Sequence, residues 1–160
     1  MNEDFLDFMR CMNQFGVQFI LVGGYAYMYN VQARFTADID FWVCPTQENL
    51  ARLQKATWEF MGLEFDVDEV LALLQTSRLG FRLAGVKPNL IEVLLRVSGI
   101  PDFDQAYAQA KVTQDSGVTF RVLHPHDQIR NKRSSNREKD KLDLHNLLKL
   151  YGEPDDKSQG

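Results

Sequence analysis

Residues 17–43 constrain the chain more than any other stretch. Val17–Val22 is short, apolar and rich in β-branched side chains, which predicts a strand. Gly23-Gly24 then turns the chain into a helix predicted near Tyr25–Val31. After thirteen intervening residues comes Asp38-Ile-Asp40, inside a second predicted strand, Ala37–Val43. Alternate strand positions share a face, so Asp38 and Asp40 project side by side, with Ile39, Phe41 and Val43 opposite. Two like charges that close repel each other, and the pattern predicts something positive between them. The plain alternative is a pair of solvated charges on a half-exposed strand, or turn residues before it.

The remaining punctuation alternates helices and strands. Phe5, Phe8, Met9 and Met12 recur at helical spacing before Gly16, predicting a helix over 3–15. Thr46 caps a helix through Met61, with Gly62 at its C-terminus. Asp66-Val-Asp-Glu69 opens another helix, through Gln75. Strands are predicted at Leu79–Ala84 and Leu90–Val97, joined by a turn at Gly85–Asn89, and at Val118–Leu123. Helices are predicted at Asp102–Ala110, Asp127–Lys132 and Glu138–Tyr151. The expected fold is α/β in the α+β sense: a mixed β-sheet with helices packed on it. Residues 1–152 are expected to make one domain, and 153–160 a flexible tail.

Composition excludes several classes. No run of 18 apolar residues predicts a membrane span, and the acidic start MNEDFLDFMR does not read as a signal peptide. Two cysteines without a CxxC pair suit reduced thiols, and a cytoplasmic location is expected. The net charge is −4, yet residues 130–141 carry Arg130, Lys132, Arg133, Arg137, Lys139 and Lys141. An acidic chain with one basic segment points to local anion binding, with a solvated helix face as the plain alternative. His124-Pro-His126 has ligand-capable spacing, but a helix-entry turn is the better reading. Trp42, Trp58 and the tyrosines at 25, 27 and 29 read as packing residues, with Tyr25 adjoining the glycine turn.

The carboxylates suggest a divalent-metal site. Mg²⁺ takes hard oxygen ligands and keeps waters and substrate phosphates in its shell, and two such ions can serve both oxygens of a phosphoryl transfer. A third carboxylate is available in Glu92, the lone acid of Asn89-Leu-Ile-Glu-Val-Leu-Leu95 and costly there unless paired or metal-bound. Gly23 and Gly24 permit a tight turn and close approach of backbone N–H groups to an anion.

Together, the strand, the Gly-Gly, the helix and Asp38-Ile-Asp40 resemble the nucleotidyltransferase superfamily typified by DNA polymerase β. Arg34-Phe-Thr36-Ala-Asp38-Ile-Asp40 resembles the form found in small bacterial nucleotidyltransferases of the AbiEii type, which include toxins of toxin–antitoxin and phage-defence pairs. Ile129-Arg-Asn-Lys132, followed by Arg137-Glu-Lys139-Asp140 and Asp143, resembles their C-terminal signature. The resemblance implies Asp38, Asp40 and Glu92 as metal ligands and catalytic residues. It implies Gly23, Gly24, Arg34, Thr36, Lys132, Arg137 and Lys139 as nucleotide-binding residues. Residue 92 is Glu where many smaller relatives have Asp, and residue 30 is Asn where relatives often have His.

The expected activity is Mg²⁺-dependent transfer of a nucleoside monophosphate from an NTP to a hydroxyl, with two ions and Mn²⁺ as the substitute metal. RNA (a tRNA end above all), a protein side chain and a small hydroxylated molecule compete as acceptors. A cognate toxin or antitoxin partner is implied, and no membrane. The rival reading is a non-catalytic nucleotide-binding or antitoxin-like partner that keeps the fold.

Overall fold

A helix leads into the sheet because its first turn is capped and one stripe is apolar. In α1 (Glu3–Gln14) the Asn2 side chain accepts from the Asp4 N–H at 2.8 Å, and Phe5, Leu6, Phe8, Met9 and Met12 are buried. The structure, a computed structural model, describes residues 1–83 and 90–155. The expected turn at Gly85–Asn89, Ala84 of the expected strand, and residues 156–160 of the expected tail lie outside the described residues. Among the described residues seven α-helices accompany a six-stranded mixed sheet.

The strands are β1 (Phe19–Val22), β2 (Ile39–Val43), β3 (Gly80–Leu83), β4 (Ile91–Leu94), β5 (Lys111–Asp115) and β6 (Val118–Val122), in the order β3-β4-β2-β1-β6-β5. β1 runs antiparallel to β2 and parallel to β6, while β2 and β4 are parallel. The further helices are α2 (Gly23–Asn30), α3 (Gln47–Met61), α4 (Val67–Ala72), α5 (Phe103–Gln109), α6 (Pro125–Ser135) and α7 (Lys141–Tyr151).

Register sorts the two faces of the sheet. Leu21, Phe41 and Val93 lie abreast, and Phe41 packs against Phe8 of α1 at 5.7 Å between ring centroids. That face is the apolar core under α1 and α3, where Leu50, Leu53 and Ala56 are fully buried. Val22, Asp40, Glu92 and Arg82 lie abreast on the other face. Burial of the first face fixes the second, since a one-residue slip would send Asp40 into the core.

The expected elements are found, with differences in extent and one addition. β5 was not expected; its sequence, Lys-Val-Thr-Gln-Asp, is a polar edge strand. It joins β6 through Ser116 and Gly117, both with positive φ, the two-residue hairpin geometry. α6 begins earlier than expected, at Pro125, because the His124 side chain accepts from the His126 N–H and Pro fits the first turn. This is the helix-entry turn read from His-Pro-His. Residues Glu138–Asp140 form a 3₁₀ turn ahead of α7 rather than its first turn. Trp58, expected in the packing, is exposed on α3.

Candidate functional site

The site begins where β1 becomes α2 without a connecting loop. Gly23 has φ +68°, and a Cβ there would stand 2.3 Å from Asp40 Oδ2. Glycine is therefore required twice, for the backbone conformation and for the approach of the aspartate. A Cβ on Gly24 would meet Thr36 Oγ1 at 3.1 Å and Arg34 Nη2 at 3.2 Å. Val22 supplies no capping side chain to α2. Gln128 of α6 steadies the turn, donating its Nε2–H to the Gly23 carbonyl at 3.2 Å. Replacing Gly23 with Ala should leave a poorly folded chain or one inactive in nucleotidyl transfer. Its melting temperature is expected to fall measurably, whereas Gly62→Ala, at a helix end with nothing within 4 Å, should be milder.

Asp40 and Glu92 are direct partners across the parallel β2–β4 pair. Asp38 precedes β2 rather than lying in it, and its Oδ1 accepts from the Leu90 N–H at 3.3 Å. Thr36 braces the same turn, donating to the Asp38 carbonyl at 3.2 Å. Asp40 is pushed up to about 7, first by burial, then by the hydrogen bond and charge of Glu92, then by Asp38, with Arg137 opposing. Glu92 moves below its usual range, first through its hydrogen bond with Asp40, then through Arg82, although burial opposes. The two carboxylates titrate together, and burial favours the proton on Asp40 over Glu92.

Sequence reasoning missed Arg82. Its Nε donates to Glu92 Oε1 at 3.0 Å from the edge strand β3. The only signal was one arginine in a short apolar segment ten residues before Glu92.

The expected basic residues divide into two groups. Lys132 is 6% exposed, and its Nζ bonds Asp143 Oδ2 at 3.0 Å and Asp140 Oδ1 at 3.3 Å. Arg34 reaches the same Asp143 oxygen at 3.0 Å and lies over the Tyr27 ring at 5.2 Å. Arg137 Nε bonds Asp140 Oδ2 at 2.8 Å. Asp140 would be raised by burial, but Lys132 and Arg137 outweigh that and hold it below the usual range. Lys132, Arg34 and Arg137 thus clamp α6, α7 and the loop before β2 together. Arg137 also acts on Asp40, and Lys139 on Glu92, through their charge. Asn30 is buried and structural: its Nδ2 donates to the Leu123 carbonyl at 2.9 Å and to Gln128 at 3.0 Å.

The fit to a divalent cation rests on the donor set. Among the described residues no three His, Cys, Asp or Glu side chains form a ready cage. What stands there is a carboxylate pair in which burial first, and then the hydrogen bond and charge of Glu92, raise Asp40, with a third carboxylate, Asp38, whose charge reaches it. Mg²⁺ typically binds one or two carboxylates and completes its shell with waters and substrate phosphates, so the pair fits it. A cavity of about 530 Å³ lined by Trp42, Leu95 and Phe103 lies toward the other end of the same strands, away from the carboxylates. None of the helices among the described residues is long and apolar enough to cross a membrane.

Comparison with known proteins agrees with this architecture. The family profile described as "Nucleotidyl transferase AbiEii toxin, Type IV TA system" matches residues 7–158. Comparison with curated proteins gives no match. The profile spans both the β1–β2 segment and the α6–α7 clamp, and the chain belongs to the AbiEii family of nucleotidyltransferase toxins of type IV toxin–antitoxin systems.

Proposed function

We propose that the chain transfers a nucleoside monophosphate from an NTP to an acceptor hydroxyl in the presence of Mg²⁺, as the toxin of its pair. The observation that carries this reading is the Asp40–Glu92 pair set one strand from the glycine turn, where Gly23 has no Cβ to keep Asp40 away. Asp38, Asp40 and Glu92 would hold the cation. Gly23 and Gly24 open the first turn of α2, where uncapped N–H groups suit phosphate oxygens. Arg137 and Lys139 add positive charge beside the carboxylates. Arg34 and Lys132 act mainly by fixing Asp143 and the loop over Gly24. When bound, the cation supplies positive charge to the transferring phosphate and lowers the pKa of the acceptor hydroxyl. Glu92, held below its usual range by its hydrogen bond with Asp40 and then by Arg82, would take the hydroxyl proton.

The test is turnover of labelled NTP with cellular RNA, cellular protein and small hydroxylated compounds offered separately. Pyrophosphate release that needs Mg²⁺ and disappears in Asp38→Asn is expected with one acceptor class. A companion measurement needs no acceptor. Mg²⁺ plus the correct NTP should raise the melting temperature more than either alone, because both bind only the folded site. No shift with any of the four NTPs at millimolar metal would defeat the proposal. A shift without turnover in any acceptor pool would favour the non-catalytic nucleotide-binding reading.

A further inference from the structure

Phe35 is 91% exposed, more than any other large apolar side chain among the described residues. Single apolar side chains are common at protein surfaces, but this one sits on a backbone held at both neighbours. Arg34 Nη2 reaches Asp143 Oδ2 at 3.0 Å, and its guanidinium carbon lies 5.2 Å from the centre of the Tyr27 ring. Thr36 Oγ1 donates to the Asp38 carbonyl at 3.2 Å. A Cβ on Gly24 would meet Arg34 Nη2 at 3.2 Å and Thr36 Oγ1 at 3.1 Å. The side chains before and after Phe35 thus converge on one point of the glycine turn, and the ring between them is left in solvent. That anchoring takes nothing from the ring, so a polar side chain would serve the loop as well and be better hydrated.

The place of the ring says what covers it. The other exposed Phe or Trp among the described residues is Trp58, on α3, across the sheet from Asp40 and Glu92. Phe35 belongs instead to the loop that touches Gly24 and runs directly into Asp38 and β2. A triphosphate held between the glycine turn and the carboxylates must carry its nucleoside out past a bordering segment, and this loop borders the glycine turn. One ring is far too small for a stable protein interface, which buries about 800 Å² on each side, but it matches the face of one base.

We infer that Phe35 is the platform on which the base of the bound NTP stacks. The inference rests on the proposed transfer reaction, which puts the triphosphate at Gly23 and Gly24. Every base has a π face, so the ring adds affinity for whichever nucleotide enters rather than choosing among bases by hydrogen bonds. Arg34 and Thr36 are positioning residues for it: pinned to Asp143 and to the Asp38 carbonyl, they fix where the ring is presented.

The experiment compares equilibrium binding of two probes in Mg²⁺: the NTP that gives the largest melting shift, and inorganic tripolyphosphate, which has the phosphates and no base. Wild type should bind the NTP more tightly. Phe35→Ala should weaken the NTP about tenfold or more, the scale of one lost base–aromatic stack, and leave tripolyphosphate unchanged. Phe35→Trp should restore the affinity. Its added fluorescence, read against wild type with Trp42 and Trp58, should change with the NTP and not with tripolyphosphate. Unliganded Phe35→Ala should melt with wild type, because the ring touches little of its own chain. Equal NTP affinity in Phe35→Ala and wild type overturns the platform, as does an equal loss for both probes, which would mean a distorted loop. A loss confined to a short oligoribonucleotide offered as acceptor would assign the ring to the acceptor and overturns it too. In each of these cases the NTP still binds wild type and the transfer reading stands. If neither probe binds wild type, the transfer reading fails and the platform falls with it.

Discussion

Asp40→Asn is expected to abolish nucleotidyl transfer and yet melt higher than the parent chain in metal-free buffer at pH 8. The parent carries an aspartate raised from 3.8 to about 7 by burial and by Glu92. A raised acid holds its proton in the folded state after the unfolded chain has lost it. Its stability contribution therefore falls as pH climbs from about 4 to about 7 and is gone above that. Asparagine does not titrate, so the variant's advantage should be small near pH 4, grow to pH 7 and then level off. Solvent reaches the half-buried site, and a discounted gain of about 1–2 kcal/mol is expected, or roughly 3–6 °C. Melting scans in chelator at pH 4.5 and pH 8 test this. A gap that is the same at both values would mean that Asp40 is not the strained group.

Lys132→Met should be strongly destabilising although it lies outside the apolar core. It leaves Asp140 and Asp143, both nearly fully buried, without their shared ammonium. Removing one member of a buried ion cluster costs about 3–5 kcal/mol. Arg34 and Arg137 still touch the two aspartates, so the loss should sit near the low end. Denaturant unfolding of Lys132→Met, Asp143→Asn and the double variant separates the terms. The double variant should recover part of the Lys132→Met loss, since the stranded charge is gone. Strict additivity would show that the lysine is not coupled to Asp143. The cluster also has a pH signature: Asp140 is held low, so its contribution is present above about pH 4 and lost on further acidification.

The parts of the fold legible in sequence were those with one dominant local cause. Val17–Val22 had nowhere to go but a buried strand, and α1 declared itself through Phe5, Phe8, Met9 and Met12. Gly23 was legible as a turn, but its tighter constraint comes from Asp40, a side chain seventeen residues later, and no local pattern encodes that. β5 escaped notice because an edge strand with polar alternation resembles a loop until β6 pairs with it. Lys132 read as an anion-binding cation of the basic segment; its burial depends on Asp140 and Asp143 returning from the following turn and helix. Arg82 was invisible for a similar reason, since its meaning lies in antiparallel register with Glu92.

The parallel pairing of β2 with β4 has a consequence for synthesis. Parallel neighbours need a long crossover, and here α3, α4 and β3 all intervene between Asp40 and Glu92. Asp143 and Lys132, which anchor Arg34 beside Gly24, come later still. A growing chain on the ribosome therefore displays the glycine turn and both early aspartates long before it can pair them. Loop closure over such distances is slow compared with forming α1 or α3. A chain halted before residue 92 lacks one carboxylate of the pair, and one halted before residue 143 lacks the clamp. With the proposed site, premature termination should yield inert fragments, since the carboxylate pair and the clamp are complete only once nearly the whole chain has been made.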